Sequence, residues 1–258
     1  MVELEGGSVK KNLAMHVYPR RDPGYWRRGV EHVRQRLSQF TGRRLVSVAI
    51  DTSTDTATEV ERAFQGQVEI REVFNDGTQE MVSFPWLMQQ VIDDSDDVTF
   101  YCHAKGCTHR DNPASHLWCD AMAAACLDYP ALVDHCLSRK PICGAFRSRQ
   151  QVGTSAARFH FAGTWWWVRN RDLFAKDWQR SDREFWGAES YPGLHFAPHE
   201  SACLFFDRAE TAHLYSLAWW QTVVCPSFKA WRMKLVDRGI KPLSCNPPAW
   251  PQFAEWTT

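Results

Sequence analysis

Apolar residues along the chain switch between two periods. Asn12–Tyr18, Leu45–Ile50 and Val68–Phe74 are short runs rich in aliphatic and aromatic residues, the first stopped by Pro19, and such runs read as strands. Between the first two, Trp26, Val30, Val33, Leu37 and Phe40 recur at steps of four, three, four and three. That spacing predicts one buried helix face, with Gly42 placed to cap its end. Shorter helices are expected over 57–64 and 86–92, and a further strand begins at Val98. Strands alternating with helices predict an α/β fold, with a mostly parallel central sheet and helices on both faces.

The second half is less regular. Trp118, Ala121, Met122, Ala125 and Cys126 predict a helix, and 131–137 another. Strands are expected over 142–146 and, as one long run, over 158–168. Residues 170–178 read as a helix, 200–206 as either a short helix or a strand, and 212–220 and 228–236 as closing helices. The proline- and tryptophan-rich tail from Pro247 is expected to lie over the surface. With no internal repeat, low-complexity tract or clear linker, the 258 residues read as one domain over 1–258.

Composition adds limits. Hydrophobic residues make up 44% and charged residues 23%, enough for a substantial core. Thirty basic against thirty acidic residues give a formal charge of zero, which argues against a general binder of nucleic acid or other polyanions. No stretch approaches the apolar length needed to span a bilayer, and the opening Met-Val-Glu-Leu-Glu-Gly-Gly lacks a signal-peptide core. The nine cysteines are odd in number and scattered, several (Cys119, Cys126, Cys136, Cys143, Cys203) inside apolar patterns. Free thiols in a reducing cytoplasm explain this better than a disulfide framework. Most of the thirteen tryptophans are expected in the core, with a minority lining a ligand cleft.

Candidate chemistry gathers at the strand ends. Val98-Thr-Phe-Tyr-Cys-His103-Ala-Lys105-Gly106 is a buried strand that breaks off at an imidazole, an ammonium and a glycine. In open α/β sheets the carboxyl edge is where ligands bind, and a cation there suits a diphosphate. His16 and Tyr18, Asp51, and Asn75 with Asp76 follow the other strands, so a parallel sheet would project all of them from one edge. Each alone is also what any polar loop supplies, and only the set is informative. Arg158-Phe-His160-Phe-Ala-Gly163-Thr-Trp165-Trp166-Trp167 places Arg158 and His160 on an alternating run whose Gly163 permits close approach. The simpler account is a half-buried strand whose tryptophans fill the core. Trp186-Gly-Ala-Glu189-Ser-Tyr191-Pro192-Gly193 sets a carboxylate among aromatic and turn residues, a setting that suits a general base, though composition alone favours an ordinary loop glutamate.

Two further patterns carry less. Cys102, His103, Cys107 and His109 invite a zinc reading, but no second C-x-x-C or matching histidine pair completes a common site. Asp94-Ser95-Asp96 has the D-x-D form that holds divalent cations in sugar-nucleotide enzymes. It precedes the strand at Val98, on the edge opposite the proposed cleft, and reads as a solvated turn.

Across roughly residues 12–206 the chain resembles glycosyltransferases of the GT-A type, and among them bacterial polysaccharide enzymes related to rhamnan-synthesis proteins. His103-Ala-Lys105-Gly106 is similar to their H-x-K-G segment. Trp118, the run Phe161-Ala-Gly163-Thr164-Trp165-Trp166-Trp167, the Glu189-Ser-Tyr191-Pro192-Gly193 stretch and the first strand's His16-Val-Tyr18-Pro19 complete the likeness. The resemblance implies a nucleotide-sugar donor and transfer to a hydroxyl of a glycan or small-molecule acceptor, most simply with inversion. By residue it implies His16, Tyr18 and Asp51 around the nucleotide, Asn75 and Asp76 near the ribose or donor sugar, His103 and Lys105 on the diphosphate, and Glu189 as base; on the chemistry of the step alone, Asp76 is the second choice of base. The D-x-D expected after the central strand is replaced by His103-Ala-Lys105, so no cofactor is firmly implied and manganese or magnesium is not required by the motif. Lys105, aided by Arg158 or His160, could meet the leaving group's charge instead. Two other readings stay open: a non-catalytic carbohydrate- or nucleotide-binding protein using its tryptophans as platforms, and a zinc-dependent hydrolase or deaminase.

Overall fold

The computed structural model describes residues 9–22, 24–93, 95–105 and 112–243. Seven strands form one sheet in the order β3-β2-β1-β4-β8-β5-β9. They are β1 (Lys11–Val17), β2 (Arg44–Ile50), β3 (Glu69–Phe74), β4 (Val98–His103), β5 (Ile142–Ala145), β8 (Trp166–Arg169) and β9 (Ser201–Phe205). The short β6 (Arg147–Ser148) and β7 (His160–Phe161) pair separately. β1, β2, β3 and β4 are parallel, β8 is antiparallel to both β4 and β5, and β9 is parallel to β5. This is an α/β fold, with a mostly parallel sheet covered on two faces.

The cover follows from the strand pattern. β1, β2 and β4 are buried almost throughout, as expected of strands packed on both sides. Leu13, Met15, Val17, Val46, Val48, Phe100 and Cys102 face one core, which α1 (Trp26–Arg34), α4 (Pro113–Ala123) and α5 (Pro130–Leu137) complete. Ala14, Leu45, Tyr101, Trp166 and Val168 face the other, closed by α3 (Phe84–Gln89), α6 (Asn170–Phe174) and α7 (Gly187–His195). α2 (Ala57–Ala63) starts at a capping box between Thr56 and Glu59. α4 starts at Asn112, whose side chain accepts from the Ala114 amide, with Pro113 in the first turn. The chain ends in α8 (Leu217–Trp219) and α9 (Cys225–Asp237). β3 is an edge strand, and its Glu69, Arg71 and Glu72 are exposed charges that disfavour pairing with another chain. α1 is pinned to α4 by Asp120, which accepts two bonds from the Arg28 guanidinium, at 2.8 and 2.5 Å, and one from His32 Nε2 at 2.7 Å.

Several boundaries differ from the sequence expectation. The helix expected to run to Phe40 stops at Arg34. Leu37 and Phe40 are still buried, carried by a 3-10 turn over Leu37–Gln39. Gly42 caps no helix; its amide donates to the Lys11 carbonyl at 3.0 Å, and a Cβ there would stand 2.1 Å from Asn12 Oδ1. The single strand expected over 158–168 is two, because Gly163 (φ +89°) and Thr164 (φ +61°) turn the chain between β7 and β8. The helix expected over 170–178 ends at Phe174, the 200–206 segment is strand β9, and α4 continues through a π turn over Ala124–Asp128. The helix expected over 212–220 is a 3-10 turn at His213–Tyr215 followed by α8 and a π turn over Trp220–Val224. All three of Trp165, Trp166 and Trp167 are buried.

Among the described residues seven cysteines are unpaired. Cys102, Cys119, Cys126 and Cys143 are buried, while Cys136 and Cys203 are only partly so. Burial pushes the Cys119 and Cys203 thiols up to about 12. No described helix is long and apolar enough to cross a membrane. Asp94, Gly106, Cys107, His109, the first seven residues and the tail from Pro247 lie outside the described residues. Asp96 pairs with Arg171 at 2.6 Å at the amino end of β4, away from the carboxyl edge.

Candidate functional site

Three side-chain groups stand at or beside the carboxyl ends of the parallel strands. The first joins the ends of β1, β2 and β3. Asp51 Oδ2 accepts from the Tyr18 hydroxyl at 2.7 Å and from Asn75 Nδ2 at 2.8 Å, and Oδ1 accepts from the Ser53 amide and hydroxyl at 2.8 and 2.6 Å. Burial works to raise its pKa, but these four donors outweigh it and hold the carboxyl well below the usual carboxylate range. The Tyr18 phenol moves up, from burial first and the adjacent carboxylate after it. Three residues far apart in sequence are thus tied across three strand ends. Asp76 does not join them; it accepts from the Thr78 amide at 2.9 Å within its own exposed turn.

The second group sits at the ends of β1 and β4. His16 and His103 are direct register partners, so their rings share the face covered by α3. His16 is 3% exposed and its Nδ1 meets Ser83 Oγ at 2.7 Å. Burial lowers its pKa to about 4, so this ring is neutral near pH 7. His103 Nδ1 bonds Glu80 Oε1, and the Tyr101 hydroxyl donates to Glu80 Oε2 at 3.3 Å. Burial alone would raise the Glu80 carboxyl. The His103 charge and hydrogen bond, with His16 and Lys105 beyond, overcome this and hold it below its ordinary value. Glu80 is therefore a partly buried carboxylate under the imidazole.

Glu80 was not among the residues singled out from sequence. It lies in a 3-10 turn over Gln79–Val82, and a lone glutamate in a polar loop has no spacing signal. Its one legible clue is position: it follows the third strand on the edge where the other candidates stand.

The third group surrounds Gly163. Lys105, two residues past β4, holds its ammonium 3.9 Å from the centre of the Trp118 ring and 5.7 Å from that of Tyr215, a cation–π placement. Trp118 Cε2 would be 3.1 Å from a Cβ on Gly163, and Met122 Sδ 2.5 Å. The Gly163 amide donates to Glu189 Oε1 at 3.2 Å, and His160 Nε2, which bonds Thr211 Oγ1 at 3.3 Å, is 3.8 Å from the same oxygen. Lys105, Trp118, Gly163 and Glu189 form one continuous string, with His160 buried behind the carboxylate. Burial lowers the His160 pKa, partly offset by Glu189. Trp165 Nε1 donates to the His103 carbonyl at 3.0 Å and joins this string to the end of β4.

Glu189 is expected in a loop from sequence, yet it sits in the first turn of α7. α7 is held close because a Cβ at Gly193 would stand 1.9 Å from the Phe159 carbonyl, a contact only glycine allows. The Arg158 amide donates to the Gly193 carbonyl at 3.2 Å, while its side chain is exposed. The described residues contain no group of three or more His, Cys, Asp or Glu side chains arranged to hold a metal ion.

No family model matches the chain, and no curated protein does. Solved structures align only loosely, and two of them serve as examples. A 4-diphosphocytidyl-2C-methyl-D-erythritol synthase shares 14% identity over 78% of this chain and 90% of that one, at a TM-score of 0.37. A protein assigned as a nucleotide-diphospho-sugar transferase, from Desulfovibrio desulfuricans G20, shares 11% over 89% of this chain and 96% of that one, at 0.40. At such scores neither likeness bears on the chemistry, which rests on the three side-chain groups.

Proposed function

We propose that this chain is an inverting glycosyltransferase that moves a sugar from a nucleotide-sugar donor to a hydroxyl of a glycan or small-molecule acceptor, of the bacterial polysaccharide, rhamnan-synthesis-related type. The observation that carries this reading is the Lys105–Trp118–Gly163–Glu189 string. It puts a cation and a carboxylate at opposite ends of one short arc beside the carboxyl edge. Displacement at an anomeric carbon asks for that pair: a base for the incoming hydroxyl and positive charge for the departing diphosphate.

In this reading Tyr18, Asp51 and Asn75, with His16 beneath, receive the nucleotide, and Asp76 borders the ribose or donor sugar. Glu189 takes the proton of the acceptor hydroxyl, whose oxygen forms the new bond to the anomeric carbon. The bond from that carbon to the diphosphate breaks, and its electron pair leaves on the diphosphate oxygen. Lys105 stabilises that charge at close range. His103 is oriented by Glu80 through Nδ1, which turns Nε2 away from the carboxylate and toward the donor side. The Gly163 amide holds Glu189, His160 lies behind it as a polar neighbour bonded to Thr211, and Arg158 is an exposed cation for the approaching anion. A histidine and a lysine in place of acidic metal ligands can meet the diphosphate directly. Manganese or magnesium would add charge neutralisation if bound with the donor.

The test is transfer and donor hydrolysis across UDP-, GDP- and dTDP-sugars, with and without EDTA and added Mn²⁺ or Mg²⁺. The expected result is turnover with one nucleotide class that Lys105→Ala and Glu189→Ala each abolish in folded protein. Near-normal turnover in either variant removes that residue's role. Donor binding without turnover for any acceptor would make the protein a carbohydrate- or nucleotide-binding module instead.

A further inference from the structure

A small cavity lies apart from the strand-end site, between α3 and residues 178–181. It encloses about 230 Å³. That is below the roughly 300–1,000 Å³ of sites for drug-sized ligands, so it has room for a single ring rather than a chain. Phe84, Met88 and Tyr191 form its floor, each 1% exposed, and the half-buried Trp178 forms a wall. α7 holds that wall in place. The Tyr191 hydroxyl donates to the Trp178 carbonyl at 2.6 Å, His195 Nε2 donates to the Arg180 carbonyl at 2.9 Å, and Ser190 Oγ donates to Asp182 Oδ2 at 2.7 Å. The cavity is therefore formed before any ligand arrives.

Its polar groups are uncharged and uncommitted. Gln89 stands on the α3 side, and Gln179 and Ser181 on the other. None of these three side chains is hydrogen-bonded to a described residue, and no charged residue is among those that line the cavity. Each amide carries both donors and an acceptor, and the hydroxyl can serve as either. The cavity also lies on a different side of α7 from the proposed reaction centre. Tyr191 reaches Trp178, whereas Glu189, two residues earlier, meets the Gly163 amide.

This chemistry selects its occupant. A phosphorylated ligand would find no cation among the lining residues. A hydrocarbon would shield the two amides from water without pairing them. A neutral sugar ring meets both demands, with a C–H face for Trp178 and hydroxyls around its edge for the amides and the Ser181 hydroxyl. We propose that this cavity binds one neutral pyranose residue of a glycan, as a subsite separate from the centre at the strand ends. A second foothold of this kind raises the effective concentration of a glycan chain at the protein. The proposal does not depend on whether the strand-end site transfers sugar.

Saturation-transfer NMR and calorimetric titration of the full chain test it. The probes are the methyl glycosides of glucose, galactose, mannose and rhamnose, set against glucuronic acid and the nucleosides uridine, cytidine and guanosine. The expected result is saturable binding of at least one neutral glycoside in the millimolar range, as a single ring allows, and weaker binding of the charged sugar and the nucleosides. Trp178→Ala should weaken it by about ten-fold or more. The double variant Gln89→Ala/Gln179→Ala removes only exposed side chains. Its melting temperature should hold while affinity falls by about three- to ten-fold. Absence of saturable binding by all four glycosides overturns the proposal. So does binding that both the Trp178 and the glutamine variants leave intact, which would put the sugar elsewhere. Equal or tighter binding of glucuronic acid or a nucleoside, weakened by the same variants, overturns it as well. A chain that binds glycosides as expected but turns over no donor refutes the transfer reading alone.

Discussion

The carboxylate of Glu80 lies partly buried against the imidazole of His103 and orients the ring at the end of the central parallel strand. Glu80→Gln keeps the shape but removes the charge, and is expected to cost about 1–3 kcal/mol in urea unfolding at pH 7. The folded pKa of Glu80 is below its ordinary value. Its contribution is therefore complete above the ordinary carboxylate range and is lost as pH falls through the folded value. The gap between wild type and variant should close in acid; a gap that stays constant with pH would remove the ionic account.

His16 gives a second pH signature of opposite chemistry. Its folded pKa is about 4 against 6.5 in the open chain. As pH falls through that window the unfolded chain takes the proton first, so stability declines between about 6.5 and 4 and levels off below. A shift of this size corresponds to about 3 kcal/mol. His16→Asn, whose amide can still reach Ser83, should flatten this part of the stability–pH curve, as followed by urea midpoints. An unchanged slope would mean the ring is not held neutral.

Lys105 is placed to separate electrostatics from packing. Lys105→Ala should lower kcat/KM by about 10²–10³-fold, the usual scale for removing one donor from a developing anion. Lys105→Arg should recover part of it. Removing the ammonium from the Trp118 face should also alter tryptophan emission without shifting the melting temperature by more than a degree or two. Loss of folding in Lys105→Ala would instead assign the residue to the core.

Gly163 and Glu189 can be tested against each other. Gly163→Ala meets two obstacles, a φ of +89° and Met122 Sδ at 2.5 Å from the new methyl. It should destabilise the protein by about 1–3 kcal/mol or more and displace the carboxylate's backbone donor. Glu189→Gln keeps an acceptor for the Gly163 amide, so its melting temperature should stay near wild type while transfer falls by about 10²–10⁴-fold. Equal losses of activity and stability in Glu189→Gln would mark a structural residue.

Asp51 binds the ends of three strands together through four donors. Asp51→Asn turns an amide toward groups that also donate, at an expected cost of about 1–3 kcal/mol in thermal unfolding. Tyr18→Phe removes one of those bonds and should cost about 1 kcal/mol. If the group receives the nucleotide, both variants should raise the donor KM more than they lower kcat. A change in kcat alone would move the group out of the donor site.

The sequence determined the first half of this protein almost by itself. Continuous apolar runs at β1, β2 and β4 are what a doubly covered parallel sheet requires, and helix-period stretches between them leave few topologies open. It also placed Tyr18, Asp51 and Asn75 at strand ends, because a parallel sheet turns chain order into a shared edge. The tertiary structure decided the rest. Gly163 and Thr164 break a run that reads as one strand, since a left-handed turn there is set by the packing of Met122 and Trp118. Glu189 becomes helical because Gly193 lets α7 close onto Phe159. Glu80 could not be found by pattern, because its role comes from burial beside a histidine on another strand, and burial of a loop residue is a property of the assembled layers rather than of its neighbours in the chain.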